Sequence, residues 1–158
     1  MDFCVDSFDI FDKEWALLTA GAEQHYNTMT ISWGGLGTLW GKPVVTVYVK
    51  PIRYTHQFME QSDYFTVSFY PEQCRRALGL LGSLSGRDND KVAMAGLTPR
   101  ALDSAVTFKE AKVTLVCKKI YRQDMDTAQM PADVVSAYYE DEPAHTMYVG
   151  EVIDMIRS

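Results

Sequence analysis

Period-two alternation of apolar and polar positions runs along this chain more clearly than any helical period. Between Asn27 and Trp33 the stretch NTMTISW puts Thr28, Thr30 and Ser32 on one face of an extended strand and Met29, Ile31 and Trp33 on the other. One face is polar without being charged, a pattern that also reads as an edge or surface strand. Pro43–Val49 (PVVTVYV) and Tyr64–Tyr70 (YFTVSFY) are rich in β-branched and aromatic residues and bounded by prolines on their outer sides. Trp15–Ala20 (WALLTA) predicts a short first strand, and Lys112–Tyr121 and Met147–Ile156 predict long ones. Helical stretches are shorter: Thr55–Ser62, Cys74–Leu81, Lys91–Ala95 and Pro131–Tyr139. Asn89 or Asp90 caps the third of these, and Gly96 with Thr98-Pro99 closes it. Gly34, Gly35 and Gly37 read as a turn after the hydroxyl strand, and Ser83–Asp88 as a loop.

Many strands with local connections and few βαβ units predict a mainly β fold with peripheral helices, an antiparallel barrel rather than a doubly wound sheet. The glycines after the hydroxyl strand lead to another strand and not to a helix, so the GxGxxG dinucleotide signature is absent. Length changes the picture little: 158 residues make one domain, 1–158, long enough for a real core.

Charge is more selective. The net charge is −6, and acids crowd the N-terminal stretch at Asp2, Asp6, Asp9, Asp12 and Glu14. Nucleic acid is not an expected partner, because phosphate backbones require clustered cations. No apolar run approaches the roughly 20 residues that span a bilayer, and Met1-Asp2-Phe3-Cys4 lacks the features of a signal peptide, so a cytoplasmic protein with no membrane partner is expected. Cys4, Cys74 and Cys117 show no CxxC spacing and fit a reducing compartment. His25, His56 and His145 are isolated, and no metal site is expected.

The chemistry lies in the order of elements: hydroxyl strand, glycines, apolar strand, then Arg53-Tyr54-Thr55 at a helix start. A guanidinium, a hydroxyl and outward helix N-terminal amides are what a phosphate would want. Taken alone, Thr55 also reads as an N-cap and Arg53 as a solvated charge.

The combination NTMTISWGG, KPVVTVYVKPIRYT, DYFTVSFY, LGSLSGRDNDK and HTMYVGEV, in that order from about Trp15 to Val152, resembles the flavin reductase-like, FMN-binding split-barrel family, within it the flavoredoxin-like branch. The resemblance implies a homodimer of antiparallel split β-barrels that holds FMN noncovalently near the subunit interface. It implies that Arg53, Tyr54 and Thr55 meet the phosphate, with Ser85 and Lys91 closing over it, and that Met29, Thr30, Ile31 and Ser32 run along the isoalloxazine. Asn27, Thr28, Trp33, Lys50, Pro51, Ser83 and Gly86 complete the implied cofactor set. His145 is similar to a position where related reductases place a polar residue near the open flavin face, a substrate contact or else a strand-end surface residue. Trp33 and Trp40 wall the slot or are core or interface aromatics.

FMN asks for cations and hydroxyls at its phosphate, polar groups along the ribityl and pyrimidine edge, and a mostly apolar slot for the ring. Two functions follow. One is an oxidoreductase passing electrons from NAD(P)H or a protein carrier through FMN to a small acceptor, free flavin or partner protein. The other is a noncatalytic FMN-binding electron-transfer or flavin-storage module.

Overall fold

The computed structural model describes residues 2–158. Nine strands form: β1 (Ala16–Ala22), β2 (His25–Ile31), β3 (Gly34–Leu39), β4 (Lys42–Val49), β5 (Tyr64–Phe69), β6 (Pro99–Ala101), β7 (Val106–Phe108), β8 (Val113–Asp124) and β9 (Thr146–Arg157). Seven of them make one antiparallel sheet in the order β2-β1-β5-β8-β9-β4-β3, and β6 pairs with β7 apart from it. Five α-helices accompany the strands among these residues: α1 (Asp9–Asp12), α2 (Tyr54–Gln61), α3 (Arg75–Ser83), α4 (Lys91–Ala95) and α5 (Ala132–Tyr138).

The strand order forces the shape. β2 and β3 stand at opposite edges of the seven-stranded sheet, yet only Ser32 and Trp33 connect them. The three Cα–Cα steps from Ile31 to Gly34 span about 10 Å at full extension, so the sheet curls until its edges meet at an unpaired seam, giving a split barrel. Register shifts between Val116 and Cys117 and between Lys119 and Tyr121 bend the two longest strands, β8 and β9.

The interior follows the period-two pattern. Leu18, Met29, Ile31, Val45, Val47, Val49, Phe65, Val67, Leu115 and Cys117 all point inward and are buried. Gly150 faces the same space, where a Cβ would fall 2.7 Å from Phe65 Cε1 and 2.8 Å from Cys117 Cβ. The outer faces of β1 and β5 are covered too. Leu17, Tyr70, Leu78, Leu81 and Phe108 form a second cluster between the sheet and a layer containing α3 and β7.

Hydroxyls under that layer satisfy one another: Thr19 with Thr28 at 2.8 Å, and Ser68, Thr107 and Thr114 in a triangle of 2.7–3.0 Å. Thr66 donates to the Val106 carbonyl at 2.7 Å. Buried polar atoms require such partners, and these hydroxyls find them without charge.

Three local features differ from the sequence expectation. Gly34 to Gly37 lie in strand β3, paired with Val44–Val47 of β4, instead of forming a turn. Gly34 is needed because Phe11 of α1 lies against it, with Cε1 2.8 Å from where a Cβ would stand. The actual turn is Trp40-Gly41, with φ of +52° and +70°, the left-handed pair of a tight hairpin. Helix α1 and the β6–β7 hairpin were not anticipated, since four-residue and three-residue elements carry too little periodicity to read.

Candidate functional site

The β4–α2 connection, the α3–α4 loop and the edge of β2 converge on a cup of about 140 Å³. Asn27, Met29, Arg53, Tyr54, Thr55, Ser83, Ser85, Gly86 and Lys91 line it, together with Ile52 and Leu84, which the sequence reading did not single out. Residues up to 64 positions apart in the chain (Asn27 to Lys91) thus share one small space.

Each side chain is placed by its element. Arg53 is the N-cap of α2 in extended conformation, and Tyr54 and Thr55, the first residues of that helix, whose amides have no intrahelical acceptor, line the cup with it. Thr55 is buried in the first turn and accepts a 2.8 Å hydrogen bond from Asn27 Nδ2. The other end of that amide explains a glycine: a Cβ on Gly86 would run directly into Asn27 Oδ1. Asp90 caps α4 by accepting from the Ala93 amide at 3.3 Å, and this start turns Lys91 back beneath the loop.

Lys91 decides the electrostatics. Only 3% exposed, it donates to the carbonyls of Leu81 and Leu84 at 3.3 and 3.2 Å. Arg53 Nη2 donates to the Gly82 carbonyl at 3.3 Å. These bonds satisfy orphan carbonyls at the C-terminal end of α3 but bring no countercharge. Among the described residues neither cation has a carboxylate within ion-pair distance. Burial, with the nearby Arg53 charge adding to it, pulls the Lys91 ammonium down to about 8. Two cations therefore line one small cup with no protein carboxylate to pair them.

Beside the cup a shelf of about 220 Å³ is lined by Trp15, Thr30, Ser32, Leu78, Gly79 and Gly82. Thr30 Oγ1 donates to the Leu78 carbonyl at 2.5 Å, which ties the edge strand to α3. Gly79 and Gly82 present no side chains there, and they lie three residues apart on one helix face. That helical spacing is the sequence signal that could have found them. As a sheet edge, β2 also leaves the N–H and C=O groups of alternate residues unpaired on its outer side.

The remaining candidates lie elsewhere. Thr28 is buried against Thr19 and donates to the Leu18 carbonyl at 3.2 Å, and Ile31 belongs to the barrel interior. Lys50 Nζ turns toward the segment after α5, donating to the Tyr138 carbonyl at 3.1 Å and pairing with Glu142, while Pro51 is exposed. Trp33, 43% exposed, packs on Tyr138 and His145 at ring distances of 5.2 and 5.4 Å. His145 Nδ1 and the Tyr139 hydroxyl share a hydrogen bond of 2.7 Å. Burial and the nearby Lys50 charge bring its pKa to about 4. Trp40 is 65% exposed at the β3–β4 turn, edge-on to Tyr121 and apart from the cup.

The site therefore offers a cationic cup with hydroxyls and helix amides, continued by a narrow shelf along a strand edge. No group of three or more metal-ligating residues is found among the described residues. Buried unpaired cations, hydroxyls and a cradle that admits no Cβ at Gly86 fit a phosphate monoester with an elongated remainder.

Comparison with known proteins points the same way. No curated protein sequence matches the chain. Among solved structures, flavoredoxin from Methanosarcina acetivorans superposes with a TM-score of 0.74 at 18% identity, covering 100% of this chain and 76% of that one. Flavoredoxin of Desulfovibrio vulgaris (Miyazaki F) gives 0.71 at 21% identity, covering 91% and 69%. An FMN-binding protein from Thermus thermophilus, solved with bound p-hydroxybenzaldehyde, gives 0.73 at 18% identity, covering 96% and 75%. At these identities the likeness is one of fold, but the family model for the flavin reductase like domain matches residues 9–158, and the chain belongs to that family.

Proposed function

We propose that residues 1–158 act as a single FMN-binding unit that relays electrons from NAD(P)H or a protein carrier to a small acceptor, free flavin or partner protein. The observation that carries this reading is the cup, where Arg53 and Lys91 stand without a carboxylate beside the α2 N-terminus. Membership of the flavin reductase like family and the likeness to FMN-binding structures support the choice of ligand.

Bound FMN would supply the redox chemistry, and the protein's part is to hold and orient it. Arg53 and Lys91 neutralise the phosphate, with Thr55, Ser83 and Ser85 supplying hydroxyls around it. The shelf between β2 and α3 receives the ring, where unpaired groups of the strand edge meet its polar rim. His145, held neutral by its surroundings, and the half-exposed Trp33 form an aromatic border that a donor or acceptor would meet. A homodimer fits the exposed Trp33, Trp40, Tyr138 and Ile153, since aromatic residues are enriched at interfaces.

The test is direct. The protein is incubated with FMN, desalted, and its visible spectrum recorded; a near-stoichiometric flavin band is expected, and a colourless protein overturns the proposal. Oxidation of NADH or NADPH in the presence of an acceptor then separates a reductase from a carrier that retains FMN without turnover. The two flavoredoxin likenesses are the observation that keeps the carrier reading in view.

A further inference from the structure

A second cavity lies where the α1–β1 connection passes the end of β5 and the start of α3. It measures about 470 Å³, within the roughly 300–1,000 Å³ of small-molecule sites, and shares no lining residue with the cup. Tyr70, Pro71 and Leu78 give it an apolar wall, with Tyr70 and Leu78 5% and 1% exposed. Lys13, Glu14, Glu72, Arg75 and Lys112 stand around that wall.

Ion pairing sorts these charges. Lys112 pairs with Glu14 at 2.7 Å, and Lys13 with Asp9 at 2.8 Å. Arg75 and Glu72 have no ion-pair partner among the described residues and do not pair with each other. One cation and one anion, three residues apart where the short 3-10 helix Glu72–Cys74 runs into α3, are left uncompensated at the same cavity.

Arg75 is also held in place. Its guanidinium carbon lies 3.2 Å from the Trp15 ring centroid, and Nη1 donates to the Lys13 carbonyl. These contacts fix the planar group while its other N–H donors have no partner among the described residues. Trp15 itself stands at φ +66°, in the left-handed region that bulky residues avoid. Strain of that kind persists only where the surroundings hold it, and it clusters at ligand sites.

We infer that this cavity binds a free α-amino acid with a large apolar side chain. Arg75 receives the carboxylate through charge-assisted hydrogen bonds, Glu72 receives the ammonium, and the side chain covers Tyr70, Pro71 and Leu78. A simple carboxylate would leave Glu72 uncompensated, and a simple amine would leave Arg75 so. Only a zwitterion completes both, and the two closed ion pairs supply no net charge for a dianion.

The test titrates the isotope-labelled full chain with phenylalanine and follows the Trp15 indole N–H, whose NMR signal is identified by its loss in Trp15→Phe. Hydrocinnamate, which lacks the ammonium, and phenethylamine, which lacks the carboxylate, are titrated alongside. The expected dissociation constant for phenylalanine is below about 5 mM, with both analogues at least about fivefold weaker. Arg75→Leu and Glu72→Gln should each weaken phenylalanine at least about fivefold, whereas Arg76→Leu, which removes the neighbouring exposed charge outside the cavity, changes it less than about twofold. A constant above about 5 mM, analogues that bind as well as phenylalanine, or an equal loss in Arg76→Leu overturns the inference. The analogue series uses the unaltered protein, so it decides the matter even if Arg75→Leu fails to fold without its contact to Trp15. No residue of the cup takes part, and either result leaves the flavin reading as it stands.

Discussion

Raising the pH should weaken FMN binding and stabilise the flavin-free protein at the same time, and one residue connects the two effects. Lys91 is buried without an anion, and its ammonium is brought down to about 8 from 10.5. In the unfolded chain it returns to the ordinary value. The unfolded state therefore binds more protons between pH 8 and 10.5, and stability rises with pH across that window. With those two values, moving from pH 7.5 to 9.5 adds about 2 kcal/mol to the flavin-free protein from this group. A phosphate dianion in the cup would support the ammonium and restore its pKa toward 10.5. FMN affinity then falls by about 20-fold over the same pH range.

Fluorescence titration of FMN and urea denaturation at several pH values measure the two slopes. Lys91→Met serves as the reference: it loses about 1.5–3 kcal/mol of FMN affinity at pH 7.5, and its two slopes fall to whatever the other titrating groups contribute. An affinity that stays flat in the parent protein from pH 7.5 to 9.5, or that declines equally in Lys91→Met, would refute the placement of phosphate beside Lys91.

Three further outcomes are expected. The double substitution Arg53→Ala with Lys91→Ala should lower FMN affinity by several kcal/mol, at about 1.5–3 kcal/mol per charged hydrogen bond, and an unchanged dissociation constant would remove the phosphate assignment. Gly86→Ala drives a methyl group into Asn27 Oδ1, so FMN affinity should drop more than about tenfold and stability by about 1–3 kcal/mol in urea denaturation. His145, with its pKa near 4 in the folded protein, contributes stability that is fully present above its ordinary value of 6.5 and is lost as pH falls through 4. Stability from urea denaturation should accordingly decline from pH 7 to pH 4 more steeply in the parent protein than in His145→Gln.

Period-two alternation made the barrel strands readable because each has one face in the interior: the odd residues of Val45–Val49 and Phe65–Phe69 do what the pattern says. Elements without that pattern escaped. Half of β3 is glycine, of which Gly34 must admit Phe11, and β6 and β7 are three residues each. The hydroxyl face of β2 was legible as polar but not as covered. Thr28 and Thr30 lie under other elements and are satisfied by Thr19 and by a helix carbonyl, which no local reading of the strand reveals.

The residues of the cup could be picked out one segment at a time, as RYT at a helix start and SLSGRDNDK before another, because cap chemistry and residue type are local properties. Their convergence, and the division of labour within the set, are not local. Lys50 and Arg53 are three residues apart in one segment, yet Lys50 turns to Glu142 while Arg53 turns to the cup. The composition and alternation of this sequence determine a curled antiparallel sheet. Only the folded structure decides that Arg53 and Lys91 lose their solvent together and find no carboxylate, because desolvation and missing countercharge depend on what the rest of the chain brings alongside.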